Sequence, residues 1–330
     1  MELTHKKTRR CHLTTTNPII KDSVDKLRQS VKRVIVGKDD VIDLALIAVL
    51  CRGHILAEDV PGIGKTTLAK ALSSAMDCTF GRLQFTPDLM PSDVLGLNWF
   101  NQKSNAFEFR AGPVFNQIVL ADEINRATPR TQSSLLEAMQ EGQVTIDGET
   151  RMLPSPFVVI ATQNPIDMEG TFPLPEAQLD RFMIRISLGY PSEEEEHDIV
   201  LRYQSGSNPP EQEAVIDSEG IISLQRFMSE IEVQDNVRQY IIDLVRATRE
   251  SERVTLGASP RASISLHRAS QARAAIHGRN FVIPDDVKAL SEPVLAHRII
   301  PNSGARLRGY SQRSIVEEVM ETVLVPIERS

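Results

Sequence analysis

Glu58-Asp-Val-Pro-Gly-Ile-Gly-Lys-Thr-Thr67 lies between an apolar strand candidate, Gly53-His-Ile-Leu-Ala57, and a helix-like run, Leu68-Ala-Lys-Ala-Leu-Ser-Ser-Ala-Met76. Strand, glycine turn, Lys-Thr and helix in that order are the setting of a phosphate-binding P-loop. Its residue types follow from the chemistry. Gly62 and Gly64 let backbone N–H groups close around phosphate oxygens, and the helix N-terminus adds partial positive charge. Within Pro61-Gly-Ile63-Gly-Lys-Thr-Thr67, Lys65 is placed to reach the β- and γ-phosphates of ATP and the Thr66 hydroxyl to ligate Mg2+. The strict pattern G-x-x-x-x-G-K-[ST] asks for a glycine five residues before Gly64, where this chain has Asp59. An ordinary Gly/Pro turn ahead of a helix would also accommodate the stretch, so the reading depends on what lies downstream.

The next signal is Phe115-Asn-Gln-Ile-Val-Leu-Ala-Asp-Glu-Ile124, an apolar strand ending in two adjacent acids. In a parallel α/β sheet the carboxyl ends of the strands point into the ligand crevice. Two carboxylates there are costly unless they meet a cation or a reacting water. Asp122 suits the Mg2+ shell, directly or through water, and Glu123 suits polarising an attacking water. A third strand, Phe157-Val-Val-Ile-Ala161, delivers Thr162, Gln163 and Asn164 to the same edge. The Asn164 amide could orient that water; an Asn-Pro turn is the plainer alternative.

Outward from these motifs, the chain has 330 residues, enough for two domains. Net charge is −7 with 41% hydrophobic residues. That balance argues against a generally basic nucleic-acid surface. Cys11, Cys51 and Cys78 lack the spacing of zinc ligands and read as free thiols in a reducing compartment. No apolar run approaches the ~20 residues of a membrane span, and the basic N-terminus lacks the apolar core of a signal peptide. A cytoplasmic location is expected. Residues 1–17 read as a flexible tail. Val24, Leu27, Val31 and Val34 have helical spacing, and Val41 to Leu50 forms a second, very apolar helix. The turn between them, at Val36-Gly37-Lys38, lies where an adenine could rest.

Leu97 to Arg110 and Gly142 to Leu153 read as hairpins, the second turning at Asp147-Gly148. Trp99, the only tryptophan, is assigned a core role. A helix is expected over 128–141. From Pro191 the pattern changes to charged helices, expected near 221–231, 234–250, 261–277, 284–299 and 312–323. The acids Glu193 to Glu196 read as a solvated helix start. The expected organisation is a tail, 1–17, an α/β nucleotide-binding domain, 18–190, and a small all-helical domain, 191–330.

With these motifs in order, the chain resembles the AAA+ ATPases and, within them, the MoxR family. The residues that carry the resemblance are Glu58 to Thr66, Leu120-Ala-Asp-Glu-Ile-Asn-Arg-Ala127, Ala161-Thr-Gln-Asn-Pro165, Leu174-Pro-Glu-Ala-Gln-Leu-Asp-Arg-Phe182 and Gly257-Ala-Ser-Pro-Arg-Ala-Ser263. They span nearly the whole chain. In that family another residue commonly replaces the first P-loop glycine, so Asp59 is compatible; Lys38 stands where the family commonly has Gln. The resemblance implies a P-loop core of five parallel strands with a helical lid, assembled as a hexameric ring. It also implies that Arg181 is an arginine finger for a neighbour's ATP and Arg261 a sensor-2 arginine on the lid, acting in cis or in trans. Fixed guanidinium groups suit the charge that spreads over γ-phosphate oxygens. Ordinary ion pairs, with Asp180 or a nearby acid, are the alternative for both arginines. The two hairpins resemble the helix-2 and pre-sensor-1 insertions, which face the ring pore and contact clients. Members of the family commonly act as chaperones in maturing metalloenzymes or complexes, alongside a von Willebrand factor A-domain protein.

A magnesium-chelatase-like motor subunit shares the core and insertions, but the wording around Arg181 and Arg261 favours MoxR. An ATP-ordered binding scaffold with incidental turnover sits poorly with an intact Glu123, Asn164 and Arg181. A nucleic-acid motor would need a basic stripe or an aromatic platform, and neither is visible.

Overall fold

The computed structural model of the chain describes residues 18–164, 170–204 and 212–326. The expected tail, 1–17, and the proline after Asn164 lie outside them. Two helices come first, α1 (Pro18–Val34) and α2 (Asp39–Leu50). Val24, Leu27 and Val31 form the buried stripe of α1. Then come β1 (Ile55–Glu58), α3 (Lys65–Ala75), β2 (Phe80–Gln84), α4 (Pro91–Leu95) and the hairpin β3 (Gly96–Asn101) with β4 (Ala106–Ala111). The series continues with β5 (Ile118–Asp122), α5 (Pro129–Glu141), the hairpin β6 (Gln143–Ile146) with β7 (Glu149–Met152), β8 (Val158–Gln163), α6 (Glu176–Leu179) and β9 (Ile184–Ile186).

Five of these strands form one parallel sheet in the order β2-β5-β8-β1-β9. The apolar runs are long because such strands are buried on both faces. Alternation divides them between two cores. Ile55, Ala57, Ile118, Leu120, Val158 and Ile160 meet α1, α2 and α3 on one face. Leu56, Val119, Ala121, Val159 and Ala161 meet α5 and the bases of the hairpins on the other.

After β9 follow α7 (Glu193–Gln204), α8 (Ser218–Phe227), α9 (Asp235–Glu250), β10 (Val254–Leu256), α10 (Pro260–Ile276), α11 (Pro284–Leu295), β11 (Ile300–Pro301), α12 (Ser303–Leu307) and α13 (Gln312–Thr322). Among the described residues this part is helical except for one antiparallel ribbon, β10 with β11, and an isolated bridge between Glu232 and Phe281. The helix expected to run to 299 ends at Leu295, because His297 and Arg298 turn inward to bind the segment before β9. Leu266, Ala269 and Leu290 of the C-terminal helices belong to the same apolar cluster as α1, α2 and the sheet. No helix among the described residues is long and apolar enough to cross a membrane.

Trp99 is 44% exposed, so its assignment to the core is corrected. The hairpin has two faces. Phe109 pairs with Asn98 and packs edge-on against Phe115, whereas Trp99 pairs with Glu108 on the opposite, outer face. Asp147 and Gly148 both have positive φ, as the turn between β6 and β7 requires.

His54, just before β1, is buried and bridges both sheet and helix. Its Nε2 donates to the Met139 carbonyl and its Nδ1 accepts from the Val159 N–H, each at 3.0 Å. Only the neutral ring can do both, and burial pushes its pKa down to about 4. The folded pKa lies below the ordinary value of about 6.5, so the unfolded chain alone takes up a proton in between. This contribution to stability is intact above that ordinary value and is lost as pH falls towards the folded one. In urea titrations, His54→Gln should flatten the decline between pH 6 and 5 by on the order of 1 kcal/mol. An unchanged slope would refute the assignment.

Candidate active site

The loop after β1 is built around backbone conformation. Gly62 and Gly64 have φ of +87° and +99°, and a Cβ on either would meet nothing within 4 Å. Glycine is needed there for the left-handed backbone, not for space. Lys65 opens α3, and its ammonium is turned back on its own loop, donating to the carbonyls of Asp59 (2.7 Å) and Val60 (3.1 Å). Burial lowers the Lys65 pKa, and the carboxylates of Asp59, Asp122 and Glu123 oppose that shift.

Parallel pairing sets the carboxyl ends of β2, β5 and β8 beside this loop. Between them lies a cleft of about 390 Å3 lined by Pro61, Gly62, Gly64, Lys65, Thr66, Thr67, Asp122, Glu123, Thr162 and Asn164. Thr162 organises the acids. Its hydroxyl donates to Asp122 Oδ1 (2.7 Å) and accepts the Glu123 N–H (2.8 Å). Arg82 on β2 donates to Asp122 Oδ2 at 2.8 Å. Glu123 is in the left-handed region, φ 56°, a conformation that costs a non-glycine residue about 1–3 kcal/mol. Its Oε2 accepts from Gln84 and Arg126, each at 3.0 Å. Glu123 is therefore held towards β2. The residues fit a nucleotide phosphate and its divalent cation: an ammonium held by loop carbonyls, a hydroxyl on Thr66 and a strand-end carboxylate share one cleft.

Arg181 and Arg261 lie elsewhere. They line a second pocket of about 250 Å3, together with Arg52 and Arg268. Arg181 Nη1 donates to the Leu136 carbonyl at 2.6 Å, and its buried Nε has no hydrogen-bond partner among the described residues. Asp180 is not its ion-pair partner. Arg298, only 1% exposed, donates from Nε to Asp180 Oδ1 at 2.8 Å. Its other nitrogens reach the carbonyls of Phe182 (2.6 Å) and Val294. Burial pushes the Arg298 pKa down to about 10, against the pull of Asp180. His297 adds a second hydrogen bond to the Phe182 carbonyl, so the turn bearing Arg181 is held by the C-terminal helices.

A family model described as "ATPase family associated with various cellular activities (AAA)" matches residues 54–184, and an "AAA lid domain" model matches residues 246–319. Chaperone MoxR1 of Mycobacterium tuberculosis is 41% identical over 90% of this chain and 80% of its own length. The chain belongs to the MoxR family of AAA+ ATPases. The uncharacterized protein YeaC of Bacillus subtilis is 50% identical over 92% of this MoxR-family chain and 95% of its own. A crystal structure from Cytophaga hutchinsonii, named as a candidate ATPase, superposes with a TM-score of 0.88 at 39% identity, covering 94% of this chain and 97% of that one. The parallel sheet with its helical lid is the α/β fold of AAA+ proteins.

Of the residues singled out from sequence, the cleft thus gathers the loop glycines, Lys65, Thr66, Thr67, Asp122, Glu123 and Asn164. Ile63 packs against the apolar core instead. Val36 and Gly37 do not line the cleft; a Cβ on Gly37 would collide with the carboxylate of Glu195. Glu195 is also paired with Lys38 at 3.3 Å, so the acidic start of α7 is not wholly solvated. Sequence reading missed Arg82, Gln84 and Arg126, and it brought Thr162 to this edge without giving it a role. Period-two alternation in β2 puts Arg82 and Gln84 on one face and was a usable signal; nothing local marks Arg126. It also missed Arg298, which only tertiary packing brings to Asp180.

Asp180 meets two arginines in opposite settings, which gives a comparison. Arg298→Met should cost about 3 kcal/mol in urea unfolding, because it strips a partly buried carboxylate and two buried carbonyls of donors. Arg261, 46% exposed and 4.0 Å away, should contribute under about 1 kcal/mol when changed to Ala. Equal losses would contradict this division.

Proposed function

We propose that this MoxR-family chain binds ATP with Mg2+ and hydrolyses it to ADP and phosphate, within a ring of identical subunits, to remodel protein clients. The cleft that joins the P-loop to Asp122, Glu123 and Asn164 carries this reading. In its nucleotide-binding domain, 18–190, Lys65 would exchange two loop carbonyls for phosphate oxygens. Glu123 would leave Gln84 and Arg126 to polarise the attacking water, and Asn164 would orient it. Thr66 and Asp122 are the residues that would hold Mg2+, which when bound offsets charge on the β- and γ-phosphate oxygens. On the adenine side the contacts would come from Val36 and Gly37.

The arginine pocket shares no lining residue with the P-loop cleft, and this supports the second part of the reading. Arg181 and Arg261 would both serve the ATP of a neighbouring subunit, so the sensor-2 arginine of the lid, 191–330, acts in trans. Rigid guanidinium groups supplied across an interface make turnover depend on assembly. The hexameric ring is the assembly implied by the family. The relative named Chaperone MoxR1 supports a chaperone role, and the two hairpins, exposed at Trp99 and Phe107 on the first and at Met152 on the second, would meet the client. A von Willebrand factor A-domain partner and a cytoplasmic location complete the proposal.

ATP turnover measured against protein concentration tests it. Turnover should rise faster than linearly for the unaltered chain and vanish on removing Mg2+ with EDTA. Glu123→Gln and Arg181→Ala should each lose at least about a hundredfold. Mixing the two variants should restore part of the activity, because some interfaces then pair an intact Glu123 with an intact Arg181. Turnover linear in protein, with Arg181→Ala fully active, would overturn the trans arrangement.

A further inference from the structure

We propose that Asp59 is a positioning residue that couples the phosphate loop to the point where the chain leaves the sheet for the lid. The proposal rests on the ATP reading above. Asp59 occupies the place of the first P-loop glycine, and a glycine there could not do what its side chain does. β1 and β9 run side by side and parallel, with Ala57 opposite Ile186, so their ends emerge together. The Asp59 carboxylate, 8% exposed, faces that second end. It accepts hydrogen bonds from the Ser187 hydroxyl (2.8 Å), the Leu188 N–H (2.6 Å) and the Gly189 N–H (3.2 Å). Hydrogen bonds to an ionised acceptor are the stronger kind, and three of them fix three successive residues.

Those residues are the start of the connection to α7. Gly189 is in the left-handed region, φ +62°, which a glycine adopts at little cost and which turns the chain towards the lid. One residue later, the Tyr190 carbonyl accepts from Lys38 Nζ at 2.9 Å, and Lys38 also pairs with Glu195. The connection is thus held twice, by Asp59 from the phosphate side and by Lys38 from the turn between α1 and α2.

The same Asp59 faces the phosphate site with its backbone. Its carbonyl is the nearer of the two acceptors for the Lys65 ammonium. When phosphate oxygens take that ammonium, Asp59 and Val60 lose their internal anchor while the carboxylate keeps its hold on residues 187–189. A shift of the loop is then passed to the lid connection through one side chain. The linkage is energetic as well as geometric: the nucleotide and the lid compete for the position of one residue.

Two variants of the full chain test this. Asp59→Asn keeps the shape but sets an amide NH2 against a backbone N–H. Ser187→Ala removes one donor from outside the loop. Hydrogen exchange over residues 184–204 is measured with and without ATPγS and Mg2+, beside affinity for a fluorescent ATP analogue and kcat and KM for ATP. The unaltered chain should change its exchange in this segment when nucleotide binds. Asp59→Asn should exchange fast at 188 and 189 in both conditions and lose the response. It should keep nucleotide affinity within about threefold while kcat falls about tenfold, the scale of one charge-assisted hydrogen bond. Ser187→Ala should show a smaller loss in the same sense. A full response in Asp59→Asn, or a defect confined to affinity, overturns the coupling and leaves the ATP reading standing. So does an unaltered chain that turns over ATP with no change in 184–204. If Asp59→Asn does not fold, a wild-type response in Ser187→Ala is the overturning result. An unaltered chain that binds no nucleotide removes the ATP reading, and the proposal with it.

Discussion

Parallel pairing of β5, β8 and β1 is the constraint on which the rest of this molecule depends. It brings three carboxyl ends to one edge and sets their terminal residues in a fixed order beside the glycine loop. The cleft's two acids and its amide each sit within one residue of a strand end, Asp122 and Glu123 at the end of β5 and Asn164 just past β8. Thr162 ends up within hydrogen-bonding distance of both Asp122 and the Glu123 backbone because β8 neighbours β5 in register, Ala121 opposite Ala161. Apolar burial on both faces supplies the rigidity. Without it, carboxylates gathered at one edge would repel one another and drift towards water.

A second layer of organisation runs through buried charge. Arg298 and Asp180 form an ion pair that is expensive to desolvate, and well-packed apolar groups could often replace such a pair without loss of stability. Here the guanidinium does more than balance Asp180. It also serves the main-chain carbonyls of Asp180 and Phe182, which flank Arg181. Polar contacts that join the C-terminal helices to the sheet domain include the Arg298 turn and, on the way to α7, the Asp59 connection. Each is polar, directional and set within an otherwise apolar contact. Apolar packing alone would let the helices slide; hydrogen bonds from planar groups fix the register.

Much of this was legible in the chain. The P-loop, the acids after Ala121 and Asn164 were readable because each is a short motif attached to a strand, and a parallel sheet turns strand ends into neighbours. The hairpins were readable from Asp147-Gly148 and from apolar arms around polar turns. Apart from the alternation in β2, what escaped depended on relations that no local pattern encodes. Trp99 was misplaced because a two-stranded hairpin has an outer face that hydrophobicity alone does not reveal. The helix through 299 was drawn too long because the inward turn of Arg298 is decided by Asp180, more than a hundred residues earlier. Asp59 looked like a blemish in a motif, and only the proximity of β9 gives its carboxylate something to hold. Gln84 needed the pairing of β2 with β5, which brings it beside Asp122 and within reach of Glu123.

The outward position of Trp99 has an optical consequence. Because the chain has a single indole, its tryptophan emission reports one hairpin and nothing else. The ring stands on the outer face of a two-stranded ribbon, away from both apolar cores. Its spectrum should therefore be red-shifted and open to quenching by iodide while the domain is fully folded. It would turn blue only when something apolar covers that ribbon, which makes the chain its own fluorescent gauge of what settles on the hairpin.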